Sequence, residues 1–345
     1  MSDLVSVIMS VFNEPLYMVK CSVESILAQT YSFLEFIIID DGANEEVRQY
    51  LRNISNYDYR VMLIINSENI GLTKSLNKGL KASSGVFVAR MDADDYSTPR
   101  RLKKQVDYFF RHDVDILGTA AVSFGNKSIF MSPAFGMNPL RVNANLFFTS
   151  CLCHPSVMIR RAFIETHNII YDEAFQKAQD FDLWERASCN GKLAVMHNVL
   201  LLYRIHTNQI SRISKQEQFC ATRLIIERRF ARLGINMTDK QYAAHMSLKG
   251  LTRSDYYAAS KWVELICRSN DEVKFCDCDM LRHELNKRLF ILKLKLLVFH
   301  KTSFLSCVSI ELLEQIILFA LSKLSASIKL FICRLYIISR KRYLE

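Results

Sequence analysis

Glycine and proline are scarce in this chain of 345 residues, at 10 and 5 copies. That scarcity excludes collagen-like, linker-like and low-complexity architectures, which need residues that keep the backbone open or extended. No G-x-G-x-x-G follows the first strand-like run and no G-x-x-x-x-G-K-[ST] occurs. The dinucleotide and P-loop phosphate cradles are therefore absent, and phosphates must be met by other means. The ten cysteines are too few and too irregular for a disulfide scaffold. Their closest pairs, Cys151/Cys153 and Cys276/Cys278, are Cys-x-Cys, whereas structural zinc usually takes Cys-x2-Cys or added histidines, so buried reduced thiols are expected. Met1-Ser2-Asp3 lacks a basic n-region and no small-residue cleavage site follows. The N-terminus reads as a first strand, with the chain left in the cytoplasm.

What is present favours a folded protein. Half of the residues are hydrophobic and 23% are charged, and the length allows about two domains at roughly 150 residues each. The net charge of +10 is unevenly placed. Residues 283–345 carry about 11 basic and about 4 acidic side chains, so most of the excess lies at one end. Three stretches are expected: 1–120, 121–210, and a helical 211–345 that becomes basic and apolar from about 283.

Over the first 120 residues short apolar runs alternate with helix-length segments. The runs at 5–11, 36–39, 60–65, 86–89 and 115–118 resemble buried parallel strands. Helices are predicted at about 17–29, 43–53, 72–83 and 98–111. This βα alternation argues for an open α/β sheet, which binds ligands beyond the carboxyl ends of its strands. Polar residues collect there: 10–15 after the first run, Asp40-Asp41-Gly42 after the second, 66–71 after the third and Asp92-Ala93-Asp94-Asp95 after the fourth. Four deliveries to one edge mark a site. From about 121 to 210 the pattern loosens, through 153–159, a helix opening near Gln179 and a run at 200–204, and reads as a second half-domain over the same edge.

Asp92, Asp94 and Asp95 place three carboxylates in four residues, which costs repulsion unless a cation neutralises them. A hard divalent ion takes one or two carboxylates and fills its shell with water and phosphate oxygens, which suits a diphosphate-bearing substrate. The same residues also suit a turn before a helix. Asp40-Asp41-Gly42 could serve an Asp-Gly turn, or one carboxylate there could accept a hydrogen bond from the imide N–H of uracil or thymine. Lys74 could face a phosphate or be a solvated first-turn lysine.

The segments 5–14, 26–31, Ile39-Asp40-Asp41-Gly42, Asn69-Ile70-Gly71-Leu72-Thr73, Met91-Asp92-Ala93-Asp94-Asp95, Pro99-Arg100-Arg101-Leu102, His154-Pro155-Ser156-Val157 and Gln179-Asp180-Phe181-Asp182-Leu183-Trp184 occur in that order. Together, over about residues 4–210, they resemble the inverting family-2 glycosyltransferases of the GT-A fold, particularly those that build bacterial surface polysaccharides such as O-antigen. The resemblance implies a Rossmann-like, mostly parallel α/β sheet with helices on both faces, followed by a helical C-terminal extension. It implies that Asp41 holds the base of a UDP-sugar with Ser10, Glu14, Lys74 and Asp92 nearby. Asp92 and Asp94 would be the D-x-D motif for Mn2+ or Mg2+, with His206 a further diphosphate or metal contact. Asp180 would be the catalytic base, with Asp182 the runner-up, and His154 and Trp184 would face the acceptor. Gln179 departs from the family's Glu-Asp pair at this point.

The activity so implied is transfer of a hexose, glucose or galactose, from a UDP-sugar to a lipid-diphosphate-linked saccharide, forming a β-linkage. The alternative is a catalytically silent, membrane-associated assembly partner, suggested by Gln179. No nucleic-acid partner is expected. Residues 302–323 are apolar but interrupted by Glu311 and Glu314, so no uncharged stretch of about 18 residues spans a bilayer there. The segment is expected to lie on the anionic cytoplasmic face of the inner membrane, each nearby basic residue adding about 1 kcal/mol. A buried helical subdomain or a dimer interface is the competing reading.

Overall fold

A computed structural model describes residues 3–125, 130–131, 135–205, 215–249 and 256–301. Residues 1–289 form one compact unit and 290–345 a second. In the first, β1 (Val5–Val11), β2 (Leu34–Asp40), β3 (Val61–Ile65) and β4 (Phe87–Asp92) run parallel. The crossovers between them are α1 (Leu16–Leu27), α2 (Glu45–Tyr57) and α3 (Leu72–Ala82). Next come β5 (Tyr96–Ser97), α4 (Arg101–Arg111), β6 (Ile116–Phe124), β7 (Phe130–Met131), β8 (Met158–Arg160) and β9 (Leu193–Arg204). The sheet order is β3-β2-β1-β4-β8-β6-β9-β5, with β7 paired to β6.

Strand alternation decides which helix covers which face. Val5, Val7, Met9, Phe36, Ile38, Phe87 and Ala89 pack with Val19, Val23 and Ile26 of α1, Val47 and Leu51 of α2, and Leu102, Val106 and Phe109 of α4. Ile8 and Ile39 point to the other face, against α3. There the approach is so close that a Cβ on Gly79 would lie 2.4 Å from Ile8 Cγ2.

The expected strand at 115–118 is present as the longer β6, but it does not continue the parallel set. β8 lies between β4 and β6 and is antiparallel to both, while β9 runs parallel to β6 on its far side. A three-residue strand carries almost no periodicity, so its insertion could only be set by tertiary packing.

Two residues of the matched segments brace this scaffold. Buried Gln29 accepts from Leu102 N at 3.0 Å and donates to Thr98 O at 2.8 Å, satisfying an amide that the first turn of α4 leaves open. Fully buried Arg101 donates to Arg90 O at 2.6 Å, and burial pushes its pKa down to about 10.

The remaining helices are α5 (Pro139–Asn145), α6 (Arg161–His167), α7 (Gln179–Ala187), α8 (Lys215–Ala231), α9 (Asp239–Leu248), α10 (Tyr256–Val273) and α11 (Cys278–Lys301). In α11, Leu281 and Leu285 are buried and Glu284 pairs with Arg141 at 2.8 Å. The change of character expected at about 283 thus falls inside the first unit. Among the described residues no helix is long and apolar enough to cross a membrane. His206 and the segment 302–345, with Glu311 and Glu314, lie outside the described residues.

Candidate active site

The carboxyl ends of β1 to β4 meet at one edge, and neighbouring aspartates there take different roles. Asp40, fully buried, accepts from Gly42 N at 3.1 Å and Ala43 N at 2.8 Å and pairs with Arg48 at 2.7 Å. It holds the turn that Gly42 makes at φ +104°. Asp41 accepts from Asn66 Nδ2 at 2.8 Å, Ile70 N at 2.9 Å and Gly71 N at 3.0 Å. A carboxylate offers about four acceptor positions, so about one remains for a ligand. Asn66 accepts in turn from Lys78 Nζ at 2.7 Å. Lys74 is exposed on the first turn of α3; the lysine wired to Asp41 is Lys78, one turn later.

The acidic loop follows β4. Asp92 pairs with Arg90, its carbonyl accepts from Ser22 Oγ at 2.6 Å, and Ser10 stands opposite it in the β1 register. Ligand oxygens of Asp92, Asp94 and Asp95 lie within 4.8 Å of one another, the one such grouping of three among the described residues. Asp95 is fully buried, with Oδ1 accepting from Arg204 N at 2.8 Å and Oδ2 without a partner among the described residues. Burial, then the charges of Asp94 and Asp92, hold its pKa well above the ordinary range. Burial likewise raises Glu14, with smaller contributions from Asp94 and Asp92; its carboxylate accepts from Phe12 N at 2.8 Å. Arg204, at the end of β9, also donates from Nε to Asp94 O at 2.8 Å. Three carboxylates this close are short of positive charge, and a divalent cation on Asp92, Asp94 and Asp95 fits that shortage.

Asp180 opens α7 half-buried, its Oδ2 accepting from Ser150 Oγ at 3.2 Å. Burial raises its pKa, opposed by the Phe181 N–H, Ser150 and the charge of Arg90. Asp182 points elsewhere, since two helical steps turn a side chain through about 200°. It is fully buried and bound by Arg186 and Arg228, each at 2.7 Å. The runner-up base is therefore a strut between α7 and α8. His154 Nε2 lies 2.7 Å from Tyr171 Oη; burial and then Arg90 hold its pKa well below 6.5, so the ring is neutral at pH 7. Trp184, expected to face an acceptor, is fully buried with its ring 5.9 Å from that of His154. It lies on the same face of α7 as Asp180, one turn further along the helix, where it backs His154. Gln179 is buried beside Asp180.

Arg90, Ser150, Tyr171 and Lys78 were missed in the sequence. Arg90 had a usable signal: it is a charge in an otherwise apolar strand, two residues before Asp92 and so on the same face. Ser150 and Tyr171 stand in aperiodic segments that offer none.

A family model described as glycosyl transferase family 2 matches residues 6–167. An uncharacterized glycosyltransferase of Haemophilus influenzae is 35% identical over 227 residues, covering 62% of this chain and 69% of that protein. The O-antigen biosynthesis glycosyltransferase WbnJ of Escherichia coli is 33% identical over 225 residues, covering 64% and 87%. Residues 1–349 of S. aureus TarS share the fold with a TM-score of 0.56, over 85% of this chain and 90% of that one, at 16% identity.

Proposed function

The chain belongs to glycosyl transferase family 2, and we propose that it is an inverting transferase that takes a hexose, glucose or galactose, from a UDP-sugar. The acceptor in this reading is a lipid-diphosphate-linked saccharide such as GlcNAc-diphospho-undecaprenol, and the product is a β-linkage in O-antigen or capsule assembly. Two likenesses support it: the E. coli relative is an O-antigen biosynthesis enzyme, and TarS has been solved with UDP-GlcNAc and with UDP.

The observation that carries the reading is the cluster of Asp92, Asp94 and Asp95 at the end of β4 with Arg90 paired to Asp92; the charge of Arg90 also opposes the raised pKa of Asp180. In this reading the acidic loop and the carboxylate of α7 act as one site. Asp41 would take the uracil imide N–H on its remaining acceptor position. Asp180 would accept the proton of the acceptor hydroxyl as that oxygen attacks the anomeric carbon, and neutral His154 would help to place the acceptor. Asp92 and Asp94, with Asp95 behind them, would hold Mn2+ or Mg2+, whose chemistry there is to stabilise charge on the leaving diphosphate. Residues 302–345 would rest on the membrane surface, which brings a lipid-linked diphosphate within reach.

The test is UDP release from UDP-glucose, UDP-galactose and their N-acetyl forms in the presence of a GlcNAc-diphosphate-lipid analogue. Turnover with a hexose donor supports the reading. UDP binding without release from any pair favours the silent assembly partner, and activity that resists chelators sinks the metal assignment.

A further inference from the structure

Arg90 sits where a guanidinium is costly. It is 6% exposed, in the centre of a sheet between β1 and β8, and it lines a small, mainly apolar cavity with Ile8, Leu76, Leu80, Val88 and Tyr171. Of its three nitrogens, Nη2 pairs with Asp92 Oδ1. Nε and Nη1 are buried and have no hydrogen-bond partner among the described residues. A charged donor left unpaired in the interior costs free energy that a purely structural arginine would not be expected to forfeit. Fully buried Arg101 shows the contrast, since its Nε, Nη1 and Nη2 all have partners.

The position of the unpaired nitrogens narrows what they await. The Arg90 charge acts on Asp180, His154 and Tyr171, and Asp92 and Asp95 act on Arg90. By contact, Nη2 is tied to the acidic loop at Asp92, and Arg90 lines one cavity with Tyr171, whose Oη lies 2.7 Å from His154 Nε2, so the guanidinium bridges the loop where the diphosphate would be and the His154–Tyr171 pair. In an in-line displacement the transferred sugar occupies that interval. Sugar hydroxyl oxygens are acceptors that a rigid guanidinium fork can reach in pairs, and Asp92 already holds the fork in place.

We propose that Arg90 is the sugar-recognition residue of this transferase, donating from Nε and Nη1 to hydroxyl oxygens of the transferred hexose. The inference rests on the UDP-sugar reading above and adds to it the group that distinguishes a UDP-hexose from UDP. A site built to hydrogen-bond a substrate hydroxyl strongly rejects an analogue that lacks it, because the donors are then left unpaired.

Calorimetric titration in Mn2+ of the full chain and of Arg90→Gln and Arg90→Lys, with UDP and with UDP-glucose or UDP-galactose, tests this. The expected result for both variants is a loss of at least tenfold in UDP-hexose affinity with UDP affinity changed less than threefold; Lys retains the charge but not the fork. Thermal unfolding of the same samples checks that the variants are folded. If Arg90→Gln does not fold, single-deoxy UDP-hexoses decide the matter. At least one should bind the wild type at least tenfold more weakly than its parent, and that difference should vanish in Arg90→Lys. Equal weakening of UDP and UDP-hexose places Arg90 on the diphosphate or in the scaffold and overturns the proposal, as does no change in either. A wild-type chain that binds UDP-hexose while the variants match it strikes Arg90 alone. A wild-type chain that binds no UDP-hexose overturns the donor reading and this proposal together.

Discussion

Asp180 and Asp182 stand two residues apart on α7 and have opposite surroundings, one beside a serine hydroxyl in the site, the other clamped by two guanidiniums in the interior. Asparagine at each position should separate their roles. Asp180→Asn keeps the shape but cannot take a proton, so kcat should fall by roughly 10²–10⁴ with nucleotide affinity unchanged. Asp182→Asn should instead lower stability by about 3 kcal/mol, seen as a reduced Tm, because it leaves buried guanidiniums without their carboxylate. An active Asp180→Asn beside a folded, inactive Asp182→Asn would reverse the assignment. The pH profile follows from the same environment. The base must be ionised, and burial raises its pKa, so kcat/KM should fall off on the acid side at a higher pH than an exposed aspartate would give. Gln179→Glu adds a like charge beside it and should move that limb higher still. UDP release measured across pH checks both.

At the scale of elements, α7 is held to α8 by a charge network that sets where Asp180 sits. Glu185, fully buried, accepts from Arg228 Nε at 2.8 Å and Arg232 Nε at 2.7 Å, with buried Arg229 at 3.9 Å. Burial pushes Arg229 down to about 10, Glu185 opposing the shift. Its other bonds reach Ser188 and Asn143, so one guanidinium joins α5, α7 and α8. Glu185→Ala removes the negative charge and leaves that guanidinium buried. A loss of about 3–5 kcal/mol is expected, read as a lower urea midpoint with an unchanged slope. A shift under about 1 kcal/mol would show that the network contributes little. The capping box of α9, where Thr238 and Gln241 satisfy each other's backbone amides, is by contrast a local device that needs no partner helix.

For the whole molecule, the GT-A-like α/β architecture and its helical C-terminal part carry a site on one sheet edge and a basic, apolar end. The place to separate those two parts is after Leu289, not near residue 283, because Glu284 and Leu285 belong to the first unit. A chain ending at 289 should keep UDP-hexose binding and lose sedimentation with phosphatidylglycerol vesicles. The full chain should bind those vesicles at low salt and release them at high salt. Equal vesicle binding by both chains, or none by either, would reject a peripheral anchor. A chain ending at 283 should unfold at lower temperature, since it strips packed leucines from the core.

The parallel half of the fold was legible in the sequence because each of β1 to β4 is a short apolar run punctuated by polar residues, and both signals are local. The edge that carries Ser10, Asp41 and Asp92 to Asp95 followed from the same pattern, since parallel strands present their carboxyl ends together. The helix at Gln179 was legible through its residue order, but order could not show that Asp180 is half-buried beside Ser150 while Asp182 is buried between Arg186 and Arg228; the rotation of α7 against α8 decided that. Trp184 was assigned to an acceptor and is core, because burial depends on what packs against a helix and not on the residue's chemistry. The antiparallel insertion of β8, the unpaired nitrogens of Arg90 and the Ser150 contact to Asp180 were decided by tertiary structure. The β8 pairings and the Ser150 contact join residues 30 or more positions apart, and a contact across such a separation leaves no periodicity in either segment from which it could be read.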